Sequence, residues 1–206
     1  MIKSKCLCVL RVLVRMFGVN GGCTDVVIAL NRYLAVTKPF YYSNRIKIST
    51  IQCLLCTVLC LSSLFTLAPL MGLGAYYDPV KQTCLSYRNP TNSLDYAYGI
   101  VFVIFGLSIC VILAICNFVV VKTLYIRKKQ HVCEVKNVKQ EMAMNKMMVA
   151  MSLLYIFCWL PQMITSTLYL SLEDVPSKFL RLLDKTSNLL LLLNFILNPI
   201  IQFFML

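Results

Sequence analysis

Charge is scarce in this sequence, and acid scarcest of all. Only 14% of the 206 residues are Asp, Glu, Lys or Arg, and 8 of them are acidic; soluble domains carry about 25% charged residues. No charge falls between Lys47 and Asp78, between Asp95 and Lys122, between Lys146 and Glu173, or from Thr186 to the end. Each gap is long enough for the ~20 apolar residues that cross a hydrocarbon core, which excludes an ordinary soluble domain. There is one histidine, His131, between two apolar runs. Acids do not converge with it at membrane depth, so hydrolytic, metal or other cofactor chemistry has no basis. Internal repeats and paired broken helices are lacking as well, which argues against a transporter or channel subunit. Zinc spacings, a phosphate loop and a base-reading basic helix are missing, so the net charge of +12 does not signal nucleic acid. Lys3, Lys5, Arg11 and Arg15 interrupt the first apolar residues, and no cleavable leader is expected.

What is present is apolar, at 59% of the chain. The runs predict an all-α transmembrane helical bundle, one domain over 1–206, with spans at about 7–36, 48–73, 95–122, 142–171 and 179–206. The first is the most charged, holding Arg11, Arg15 and Asp25, each costly in lipid unless it faces a bundle interior or an interface. Gly18, Gly21 and Gly22 in the same run would let a neighbouring helix approach closely. Pro161 should kink the fourth span. Most of the 11 cysteines lie within the apolar runs, where they act as small hydrophobes. Lys38, Arg45, Lys47, Lys122, Arg127, Lys128, Lys129, Lys136 and Lys139 fall in the 37–50 and 122–141 connections, which are therefore read as cytoplasmic. The basic N-terminus runs against that majority.

Three short elements then stand in order. Asn31-Arg32-Tyr33 ends the first span, Cys158-Trp159-Leu160-Pro161 lies within the fourth, and Asn198-Pro199-Ile200-Ile201-Gln202 lies near the end of the fifth. The set resembles the rhodopsin-like (class A) G-protein-coupled receptors, with their Asp/Glu-Arg-Tyr, Cys-Trp-x-Pro and Asn-Pro-x-x-Tyr motifs. The resemblance covers nearly the whole chain and implies that the five spans are helices three to seven of a seven-helix receptor fold. It further implies either a fragment or a truncated product, and a truncated chain would act only by association with other membrane proteins. Val36-Thr37-Lys38-Pro39, Pro69-Leu70-Met71-Gly72-Leu73-Gly74 and Ile115-Cys116-Asn117 look most similar to the prostanoid receptor branch. Two departures from that branch are Thr83 before the outer-loop cysteine and Leu189 where those receptors carry an arginine.

What the resemblance implies for individual residues is specific. Arg32 would pair with Glu141 at rest and release it to meet a heterotrimeric G protein; a guanidinium offers a carboxylate two parallel donors. The plainer reading of Arg32 is a side chain snorkelling to the interface. Asn31, in place of the family's acid, cannot restrain Arg32 locally. Trp159 and Pro161, beside Cys158, would form a pivot that senses ligand, and Asn198 and Pro199 would complete the switch. Cys84 would pair with Cys8, or alternatively Cys6. Arg11, Arg15 and Trp159 are the ligand candidates, for an extracellular small molecule or lipid. The resemblance places the protein in the plasma membrane, with no cofactor.

Overall fold

A computed structural model describes residues 2–71, 77–78, 83–84, 93–130, 135–171 and 178–205; of these, the side chains of residues 2–5, 7, 77–78, 83–84, 127–130, 135–145 and several in 178–205 lie outside the description. The described residues form six α-helices: α1 (Ile2–Thr37), the short α2 (Pro39–Arg45), α3 (Ile48–Leu67), α4 (Ser93–Gln130), α5 (Val135–Ser171) and α6 (Lys178–Met205). A 3-10 turn, Ala68–Met71, finishes α3. A two-residue antiparallel ribbon, β1 (Tyr77–Asp78) with β2 (Thr83–Cys84), pairs Tyr77 with Cys84 and Asp78 with Thr83. Segments of α1, of α3 with its 3-10 turn, of α4 and of α5 are each long and apolar enough to cross a membrane. The chain is a helical transmembrane bundle.

The helices outrun the spans read from hydrophobicity. At 1.5 Å per residue the 38 residues of α4 reach about 57 Å, well beyond a hydrocarbon core of about 30 Å. Basic residues stop a helix from being buried in lipid, but they do not stop it from being a helix. The 122–141 connection is therefore largely the continuation of α4 to Gln130 and the start of α5 at Val135.

Neighbours form a series: α3 packs on α1, α1 on α4, α4 on α5, and α5 on α6, with a lesser contact of α1 with α5. The packed centre draws Val19 and Cys23 from α1, Phe102, Ile109 and Leu113 from α4, and Tyr155, Trp159 and Met163 from α5. Two glycines set how closely these helices approach. A Cβ at Gly22 would fall inside the Tyr155 phenol, and one at Gly106 would meet the Met163 thioether. Gly21, expected to serve the same purpose, faces open space.

Polar bonding ties α1 to α3. The Asn20 amide donates to Ser63 Oγ at 2.9 Å while its oxygen accepts from Ser62 Oγ at 2.5 Å, so both ends of one side chain are used across the interface. Thr66 in turn donates to the Ser62 carbonyl at 2.8 Å. Interhelical bonds in membranes contribute modestly, about 0.6 kcal/mol on average and up to about 1.7. We expect Asn20→Ala to destabilise the detergent-solubilised protein by about 1 kcal/mol, and Asn20→Ala with Ser62→Ala to cost less than the two singles summed. Thermal melts of the four proteins test this, and simple additivity would show the bonds to be idle.

Candidate functional site

Asn31, Arg32 and Tyr33 lie inside α1, which continues unbroken to Thr37, whose hydroxyl donates to the Tyr33 carbonyl at 2.6 Å. Tyr33 is half-buried against the packed centre. Arg32 is half-buried too, and lines a cavity of about 120 Å³ between α1, α4 and α5, with Asp25, Asn117, Met148 and Ser152 also in its wall. Asp25 precedes Arg32 by seven residues, two turns of helix, which puts both on the same face of α1. Asn31 Oδ1 is buried and has no hydrogen-bond partner among the described residues. Glu141 belongs to α5, but its side chain lies outside the described ones, as do those of Asn198 and Pro199 in α6.

The second cluster is the middle of α5. Cys158 and Trp159 are buried, and Pro161 lies inside a helix that runs on to Ser171. A proline has no N–H to give the carbonyl four residues back, so that of Phe157 loses its helical partner. Beyond it, the hydroxyls of Thr165, Ser166 and Thr167 each bond the carbonyl four residues earlier. Hydroxyls bonded back in this way often bend a helix. Trp159 stacks on Tyr155 with ring centroids 5.4 Å apart, and the Tyr155 phenol lies against Gly22. A continuous path of packed atoms thus joins the tryptophan to α1, ten residues before Arg32. Sequence reading singled out Trp159 and Gly22 but missed Tyr155, which joins them. Its signal was available: Tyr155 precedes Trp159 by four residues, one helical turn.

Trp159 Nε1, Gln162 Oε1 and Asn194 Oδ1 are all buried and have no hydrogen-bond partner among the described residues. One donor and two acceptors in the packed interior of α5 and α6 are groups that a polar ligand or ordered water would satisfy. Gln162 and Asn194 carried no sequence signal beyond being polar in an apolar run.

At the other end of α1, Cys8 is buried and disulfide-bonded, whereas Cys6 is exposed and free. The strand bearing Cys84 lies against α1; the Cys84 side chain is outside the described ones. Arg11 is exposed. Arg15 is half-buried, with its guanidinium 5.7 Å from the Phe102 ring centre. Phe102 belongs to an aromatic cluster with Phe65, Tyr98 and Phe105, in which the Tyr98 hydroxyl donates to the Phe65 carbonyl at 3.2 Å. A cation held over a ring is stabilised by the ring's quadrupole. Arg15 therefore helps pack α1 on α4, in addition to any part it has toward a ligand.

Comparison with known proteins agrees with this architecture. A curated relative, "Rhodopsin, GQ-coupled" of Mizuhopecten yessoensis, is 23% identical over 160 residues, which is 71% of this chain and 32% of the relative. The chain thus spans about a third of the curated relative it matches. Residues 3–201 match the family model described as 7 transmembrane receptor (rhodopsin family). With nearly its whole length matched and its helices packed as a membrane bundle, the chain belongs to the rhodopsin family of seven-transmembrane receptors.

Proposed function

We propose that the protein transduces an extracellular signal to a heterotrimeric G protein, with Arg32 as the group that changes partners. The observation that carries this reading is Arg32 itself, half-buried in the wall of a cavity where three helices meet, instead of extended into solvent. A guanidinium there can face inward to a carboxylate or outward to a partner, and a few kcal/mol between the two arrangements is enough for a switch. Glu141, at the same end of the bundle, is the proposed acid across the helices. The basic 37–50 connection at this end supports a cytoplasmic face, and we place the protein in the plasma membrane. Pairing of Cys84 with Cys8 is proposed on the same footing, supported by the bonded state of Cys8 and by the packing of β2 on α1.

Asn31 cannot form the ion pair that an acid would make with its neighbour, so the resting state lacks one restraint. In cells expressing the receptor that contains this chain, Asn31→Asp should lower basal output several-fold, and Arg32→Ala should abolish stimulated output. Because the Mizuhopecten relative is described as Gq-coupled, inositol phosphate release is the first readout, followed by cyclic AMP. Unchanged output with both variants would reject the switch. The ligand class we propose is a small molecule or lipid of the prostanoid type, on the likeness of the segments around Val36-Thr37-Lys38-Pro39 and Ile115-Cys116-Asn117. Leu189, where that branch has arginine, means that any carboxylate would have to be met elsewhere, with Arg11 and Arg15 as the proposed cations.

A second reading has its own observation. The series α3, α1, α4, α5, α6 does not close, since no extensive packing of α6 on α1 or α3 is found among the described residues. An open series suits a chain that completes its bundle by association with other membrane proteins. Under that reading the chain expressed alone gives no G-protein response and is recovered bound to a partner; a response from the chain alone would dismiss it.

A further inference from the structure

Asp25 is a carboxylate at membrane depth that no part of the proposed switch uses. An isolated charge there is expensive and calls for a partner. Three observations identify one. Asp25 and Arg32 line the same cavity, and the other described lining residues carry no charge, so among them the cavity has one anion and one cation. No ion pair joins either of them to another described residue. From α4, Asn117 reaches the same cavity with a buried Nδ2 that has no acceptor among the described residues.

Geometry favours their meeting. Seven residues of helix separate the two by about 10.5 Å along the axis and bring them back to the same face. Long side chains on a helix lean toward its N-terminus, so the Arg32 stem leans toward Asp25. The cavity has room for several water molecules, which can bridge whatever gap remains. From α5 the described lining is methionines, Val149 and Ser152, so among the described residues no other acid or base faces the pair from that side; the Glu141 side chain lies outside them.

We infer that Asp25 is a second resting-state partner of Arg32, within α1 itself and beside the proposed Glu141 across the helices: the guanidinium turns into the cavity and pairs with the Asp25 carboxylate, while the Asn117 amide donates to the same carboxylate. Asp25 thereby takes over the local restraint that Asn31 cannot supply. It acts as a positioning residue, setting which way Arg32 points before any partner arrives. The signalling consequence rests on the receptor reading above, whereas the pair itself does not.

Two measurements on the purified full chain test the pair without any G protein. The first is a double-mutant cycle in thermal stability with Asp25→Asn, Arg32→Gln and the double variant. Each single should lower the midpoint, and the double should fall no further than the worse single; additive losses overturn the proposal. Asp25→Glu, which keeps the charge, should retain most of the coupling to Arg32→Gln, and its loss would count against the pair. The second is difference infrared spectroscopy. Subtracting Asp25→Asn from wild type should reveal an ionised carboxylate band, and the same subtraction in the Arg32→Gln background should reveal a protonated carboxyl band. The same band in both backgrounds overturns the proposal, and mere structural disturbance would not produce the exchange. In cells, Asp25→Asn should raise basal output several-fold. A coupled pair with unchanged output would leave the pair standing and remove the signalling role assigned to Arg32.

Discussion

Gly22→Val should be among the most destabilising single changes in this protein. The position faces the Tyr155 phenol so closely that even a Cβ would overlap its oxygen and ring carbon. Tyr155 cannot withdraw, because it is 1% exposed and is stacked on Trp159 from the other side. Either α1 and α5 separate or the tyrosine leaves its rotamer, and overpacking of this kind typically costs about 1–3 kcal/mol. Gly22→Ala should show the same defect in smaller measure. Gly21→Ala is the control, since nothing lies within 4 Å of a Cβ there. It should be neutral or slightly stabilising, because alanine is favoured over glycine in a helix by about 1 kcal/mol. Combining Gly22→Val with Tyr155→Ala should recover part of the loss, as the space vacated by the ring admits the valine. Thermal melts of the five proteins in one detergent decide the matter. Equal midpoints for Gly21→Ala and Gly22→Val would show that the contact does not limit the approach of α1 and α5.

The same pair of glycines shows what the sequence could and could not reveal. That α1 would use small residues for a close approach followed from Gly18, Gly21 and Gly22 in a membrane span. Which of them faces the neighbour did not follow, because adjacent residues on a helix point about 100° apart and nothing in a uniformly apolar run marks the inner face. In α4, Val101, Ile104, Val111, Ile115 and Phe118 face outward, while Phe102, Ile109, Leu113 and Val120 face inward. Both faces are equally hydrophobic, since lipid is as apolar as the packed interior. The order of the helices along the charge-free runs was legible from those lengths, whereas the short α2 and the extension of α4 to Gln130 were not. Candidate residues could be named from the sequence where they stand in a motif, as with Arg32 and Trp159. The site was not legible where the role depends on a partner from another helix, as with Tyr155, Asn117 and Gln162. Asp25 falls between these cases: its charge made it conspicuous, and only the cavity it shares with Arg32 suggests a use for it.

Trp159 should respond in opposite ways to two substitutions. Trp159→Ala removes the largest fully buried side chain of the bundle, together with its stacking on Tyr155. Loss of a buried tryptophan ordinarily costs about 3–5 kcal/mol, through contacts forfeited and a cavity left behind. Tyr155 would then be free to tilt, releasing its hold on Gly22, so the defect should spread to the α1–α5 contact. Trp159→Phe keeps an aromatic ring against Tyr155 and discards the indole N–H, which is buried and has no hydrogen-bond partner among the described residues. A buried unpaired donor is itself destabilising by about 1–3 kcal/mol, so its removal offsets much of the lost volume, and the phenylalanine variant should melt close to wild type. If the N–H instead bonds an ordered water or a ligand, the phenylalanine variant loses that bond and melts well below wild type. The same comparison with saturating ligand separates the two. A phenylalanine variant of normal stability that no longer gains from ligand places the indole N–H in the ligand site; one that gains as wild type does leaves Trp159 as packing that links α5 to α1.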